Sequence, residues 1–177
     1  MIMFNNENTD TDPEEEEISE RQAAMLMAAA LEQQDKAPNT IGLVGDLNEE
    51  SAQEIYHGLL QLNGGSIFPN PRKEDEDEEE DIHFLISTGG GTVYDMFGVV
   101  DMMRIVKERR DISTLGTGKI FSAGVPILAA GTKGKRFITR NARIMMHRCS
   151  AGNMGTTADI KATHDEVRLM EDQMVQI

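Results

Sequence analysis

The stretch GKIFSAGVP, Gly118 to Pro126, places a single serine between a run that reads as a strand and one that reads as a helix. Serine in that position has two uses. Its oxygen can cap the helix by accepting from a free N–H of the first turn, which is the commoner outcome for such a stretch taken alone. Alternatively, its hydroxyl can serve as a nucleophile, provided a general base removes the proton and N–H donors face the developing oxyanion. Ala123 and Gly124 leave room for a substrate carbonyl, and the Ala123 N–H is among those a helix start leaves unpaired. A second segment, STGGGTV (Ser87 to Val93), sets three glycines between a strand and a helix. Such a run lets the backbone approach a ligand and point N–H groups at it, although a tight turn is its commoner meaning. Neither this segment nor LGTGKIF fits G-x-x-x-x-G-K-[ST], which excludes a P-loop. His147 closes the apolar strand RIMMH. Its side-chain type, with a pKa that starts at about 6.5, can accept a serine proton at neutral pH. A lone histidine there is more often structural. His57 on an amphipathic helix, His83 beside a block of acids and His164 in the last helix are weaker candidates for a base. HRC (147–149) offers two potential metal ligands and no second pair at ligand spacing, so no metal site is expected.

Positioning these groups requires an alternation of strands and helices, and the chain supplies one. IGLVGD (41–46) is short and apolar, and Asn48 can cap a helix whose Ala52, Ile55, Leu59 and Leu62 fall on one face of a 3.6-residue period. IHFLIS (82–87) reads as a strand leading through TGGGT to a helix with Val93, Met96, Phe97, Val100 and Met103 on its apolar face. DISTL (111–115) is a short strand, SAGVPILAAG a short helix ended by Gly131, RFIT and RIMMH two more strands. From Thr157 the pattern is helical to the last residue. The class is α/β with a largely parallel sheet and right-handed crossovers, in which sites form where strands hand over to helices. Both STGGGTV and FSAGV occupy such positions.

Composition bounds the rest. The chain has 177 residues, about one domain, and a formal charge of −14. That charge belongs to the front: residues 1–81 carry a net −18 and residues 82–177 a net +4. The overall acidity argues against nucleic acid or an anionic membrane as main partner. Residues 1–18 are polar, acidic and aperiodic and are expected to be a disordered tail. Ser19 and Gln22 form a capping box ahead of an apolar helix candidate reaching Gln34, and KAPNT (36–40) reads as a linker. The acid block within 71–81 reads as a solvated surface loop, an insertion between helix and strand. One cysteine, Cys149, rules out an internal disulfide and suits a reducing cytosol. No basic n-region opens the chain, and AAMLMAAAL (23–31) is too short to span a bilayer, so a soluble, cytoplasmic protein is expected.

Three segments, LISTGGGTVYDMFGVVDMM, GTGKIFSAGVPILAAGTKGKRFIT and NARIMMHRC, together resemble the ClpP family, the proteolytic subunits of the Clp protease, which are serine peptidases of crotonase-like fold. The glycine-rich oxyanion segment, the G-x-x-x-S-x-G turn, the A-G-x-K-G-K-R run and the M-x-H strand follow in the family's order. AGTKGKRFI (130–138) is the most specific of these strings. The likeness covers about residues 41–177, and 1–40 share no motif with it. It implies repeated ββα units with a final handle helix. It makes Ser122 the nucleophile, His147 the general base, and the N–H groups of Gly91 and Ala123 the oxyanion hole. Gly89, Gly90, Gly91, Thr92 and Val93 would hold an extended peptide by strand-like pairing. It further implies unfolded protein as substrate, an AAA+ Clp ATPase as partner, stacked homo-heptameric rings, and no cofactor bound by this chain, ATP being used by the ATPase.

Relative to the family the chain departs in several places. Gly89 stands where proline is usual, Glu108 to Arg110 lengthen the approach to a strand, and KEDEDEEED is inserted. The family's triad aspartate lies beyond the final helix, and this chain stops at Ile177, short of the matching segment. Asp159, Asp165, Glu166, Glu171 and Asp172 belong to the helix that the family uses for contact between rings, and none is assigned to the triad. Three other readings follow from these departures: a non-catalytic or regulatory ring subunit, a crotonase-type acyl-CoA enzyme, and a partial gene product.

Overall fold

The computed structural model describes residues 39–177 except 67, 69–70 and 74–78. The expected tail, the helix after Ser19 and the middle of the acid block lie outside the described residues. Among the described residues, five strands and four helices follow in the order β1 (Thr40–Val44), α1 (Glu49–Leu62), β2 (Ile82–Thr88), α2 (Val93–Val106), β3 (Ile112–Phe121), α3 (Gly124–Ala129), β4 (Arg136–Ile138), β5 (Arg143–Met145) and α4 (Thr157–Met174). All pairings are parallel, β1 on β2, β2 on β3, and both β4 and β5 on β3. The protein is thus α/β with a parallel sheet. The first three strands each lead to one helix, and β4 and β5 together lead to α4.

Residue periodicity explains which face is covered. Ile82, Phe84, Ile86 and Thr88 alternate along β2 and are fully buried, as strand geometry requires of one face. Ala52, Ile55 and Leu59 of α1 and Met96, Val100 and Met103 of α2 join them in one cluster with Ile112, Ile120 and Ile127. Asn48 caps α1, its side chain accepting from the Ser51 N–H while Ser51 Oγ accepts from the Asn48 N–H.

β3 is ten residues long, twice the strand expected from DISTL, because it continues through GTGKIF. Its first half pairs with β4 and its second half with β5, so the two short strands share one edge of one long neighbour. The register against β2 shifts between the Ile86–Gly116 and Thr88–Ile120 pairs, where Gly118 at φ +60° admits a bulge. That shift re-aims the end of β3, which carries Ser122.

The C-terminal end of the acid block is an irregular, partly exposed segment that makes ion pairs. Glu79 pairs with Arg109 and Arg110, and Asp81 with Lys135. Arg110, expected to do no more than lengthen a loop, is only 8% exposed. Its guanidinium donates to the carbonyls of Leu62 and Glu80 and to Asn39 Oδ1, tying the end of α1 and the start of β1 to the entry of β2. Arg110→Met is therefore expected to lower stability by about 1–3 kcal/mol, since it removes the donor from two part-buried carbonyls and leaves half of an ion pair. Urea unfolding followed by far-UV dichroism checks this; a loss below about 1 kcal/mol would show these carbonyls already hydrated.

Candidate active site

Ser122 does not cap the helix that follows it. The N-cap of α3 is Ala123, with no side-chain cap bond, and Ser122 itself sits at φ +50°, the only non-glycine residue with positive φ among those described. A left-handed serine costs about 1–3 kcal/mol, and such strain persists where surrounding contacts impose it. Those contacts are visible. The Ser122 N–H donates to the Met145 carbonyl at 2.8 Å, extending the β3–β5 ladder by one bond, and its carbonyl accepts from the Val125 N–H at 3.0 Å. Held at both backbone ends, the residue turns its hydroxyl out of the helix start. The Oγ has no hydrogen-bond partner among the described residues, so it is not spent as a cap and stays open to a base.

The glycine-rich segment packs directly against this serine. At Gly90, with φ +107°, a Cβ would lie 2.6 Å from Ser122 Cβ and 3.2 Å from its Oγ. No side chain fits there. The segment is fixed by an isolated parallel bridge between Leu47 and Gly91: the Leu47 N–H donates to the Gly90 carbonyl at 2.8 Å, and the Thr92 N–H to the Leu47 carbonyl at 3.2 Å. Buried Thr88 adds a third tie, its Oγ1 accepting from the Gly90 N–H at 3.0 Å. Because backbone groups alternate sides along an extended segment, those of Gly91 face away from Leu47. Among the described residues neither the Gly91 N–H nor the Ala123 N–H has a partner. Thr92 caps α2 by accepting from the Asp95 N–H.

His147 stands two residues beyond β5, exposed, outside any regular element. Its Nδ1 lies 2.6 Å from the Arg148 carbonyl oxygen. A carbonyl only accepts, so Nδ1 carries the proton and the neutral ring keeps its lone pair on Nε2. Ser122 and His147 thus leave the paired ends of β3 and β5, yet no hydrogen bond joins them; such bonds are often long before substrate binds. His147 lines an open cleft of about 1100 Å³ with Val125 and Pro126 of α3, Cys149, and Glu171 and Asp172 of α4. Burial pushes the Cys149 thiol up, and the nearby Glu171 carboxylate adds to the shift, so it is kept from thiolate character.

The remaining histidines are not brought to this site: His57 lies on α1, His83 on β2, and His164, which also lines the cleft, sits beside Asp165 on exposed α4. No group of three His, Cys, Asp or Glu among the described residues could hold a metal ion, and no helix among them is long and apolar enough to cross a membrane. Sequence reasoning missed Leu47, Thr88 and Met145, whose backbone or hydroxyl groups fix the two loops. Their side-chain types carry no chemical signal, and only pairing across distant strands reveals them.

The Clp protease family model matches residues 24–177. The ATP-dependent Clp protease proteolytic subunit 1 of Prochlorococcus marinus (strain MIT 9312) is 42% identical over 128 residues, 72% of this chain and 59% of that protein. Its counterpart from Prochlorococcus marinus subsp. pastoris is 43% identical over 101 residues, 57% of this chain and 50% of that protein. The chain thus spans about half to three fifths of the length of the curated relatives it matches.

Proposed function

The chain belongs to the Clp protease family, and on that premise we propose that it is an ATP-dependent Clp protease proteolytic subunit hydrolysing peptide bonds through an acyl-enzyme on Ser122. One observation carries the reading: a strained serine with an unpartnered hydroxyl, wedged against Gly90 and flanked by the unpaired N–H groups of Gly91 and Ala123. In the reaction, an extended peptide pairs along Gly89 to Val93, engaging backbone more than side chains. Ser122 Oγ attacks the scissile carbonyl while His147 Nε2 takes its proton, and the Gly91 and Ala123 N–H groups receive the oxyanion. His147 then gives the proton to the leaving amine. Water, activated by the same ring, attacks the acyl-enzyme and releases Ser122. Unfolded substrate would be delivered by an AAA+ Clp ATPase, and the subunit would work in stacked heptameric rings.

The test is reaction of the purified chain with a fluorophosphonate probe, read by intact mass beside Ser122→Ala. One adduct per chain that vanishes in the variant is expected. No adduct in either protein would overturn the peptidase reading and favour a non-catalytic ring subunit, a role consistent with the absence of a Ser122–His147 hydrogen bond.

A further inference from the structure

What holds the imidazole of His147 is a question of its own, because the residue lies on an irregular, exposed segment. The ring is tied through one peptide unit. The carbonyl of that unit, from Arg148, accepts from His147 Nδ1 at 2.6 Å, and its N–H, from Cys149, donates to Glu171 Oε1 at 3.1 Å. The Arg148 guanidinium also stands 3.6 Å from Glu171 Oε2. A peptide group is planar, with its C=O and N–H on opposite sides, so fixing the N–H fixes the direction of the carbonyl. A carboxylate acceptor makes the stronger, charge-assisted bond and polarises the peptide toward a better acceptor at its oxygen.

We propose that Glu171 is a positioning residue for the base: acting through the Arg148–Cys149 peptide, it holds His147 in the Nδ1–H tautomer with Nε2 free. The inference rests on the peptidase reading above. It assigns α4 a part in catalysis, since Glu171 is the point at which this helix grips the segment carrying His147. Its position in the last turns of α4 leaves the carboxylate only about a quarter exposed, at 26%.

The experiment compares rates of Ser122 labelling by the fluorophosphonate in the wild-type chain and in Glu171→Gln, Glu171→Asp and Glu171→Ala, each with a thermal melt. Gln keeps the acceptor at the same reach. Asp keeps the charge and withdraws it by one methylene, and Ala removes both. The expected result is labelling within about threefold of wild type for Gln and at least about tenfold slower for Asp and Ala, a loss matching one hydrogen bond. Asp is the variant to rely on where Ala fails to fold. Equal rates in wild type and Asp would overturn this inference and leave the peptidase reading standing, as would Gln slowed as much as Asp. A wild-type chain that takes no label overturns both.

Discussion

His147→Ala is expected to slow peptide hydrolysis and fluorophosphonate labelling by about 10⁴ to 10⁶ while leaving the melting temperature within a degree or two of wild type. The size follows from the unit character of a serine–base pair, in which loss of the base costs about as much as loss of the nucleophile. At neutral pH a serine hydroxyl without a base presents almost no alkoxide. The stability half of the expectation follows from exposure: His147 packs in no core cluster, and its hydrogen bond is to the carbonyl of the next residue. Substitutions at such sites usually stay within about 0.5 kcal/mol. Labelling kinetics and a melt on the same preparation decide it. A loss below about tenfold would mean that another group takes the serine proton, and His164, lining the same cleft, would be the next to replace.

Gly90→Ala is expected to cost about 10² to 10³ in labelling rate and about 1–3 kcal/mol in stability. Two independent penalties meet at this position. The backbone has φ +107°, which an alanine adopts only with strain. Its Cβ would also meet Ser122 Cβ at 2.6 Å and the Phe121 carbonyl oxygen at 3.2 Å. Ser122 is held by Met145 and Val125 and has little room to yield, so the displacement falls on the 89–91 segment. Moving that segment carries the Gly91 N–H away from the oxyanion position, which is why the rate falls more than stability alone explains. Labelling at the wild-type rate in a folded variant would remove Gly91 from the oxyanion hole.

Much of this was open to local reading. The 3.6-residue period of α1, its Asn48 cap and the strand character of β2 depend on neighbours within a few residues, so type and spacing suffice to place them. Ser122 and His147 also stand out as candidates, because a serine at a strand-to-helix junction and a histidine just past an apolar run are recognisable in one dimension. Their relation was not. The cap reading of Ser122 fails because Met145, twenty-three residues away, holds its N–H and turns the residue left-handed, a constraint with no local trace.

The same physics accounts for the other differences. DISTL reads as a short strand of its own, yet β4 pairs with Thr114–Gly116 and β5 with Lys119–Phe121, so one strand runs from Ile112 to Phe121. Arg110 reads only as part of a lengthened approach to a strand; its role emerges where three carbonyl acceptors from separate segments converge on it. By itself the sequence determined the α/β class, the order of elements and the two side chains proposed to react, all properties of residue type and short spacing. Tertiary structure alone decided the serine's backbone, the contact of Gly90 with it, the free N–H groups and the path from Glu171 to His147. Each of these is a distance between residues far apart in the chain, and only long-range packing sets such distances.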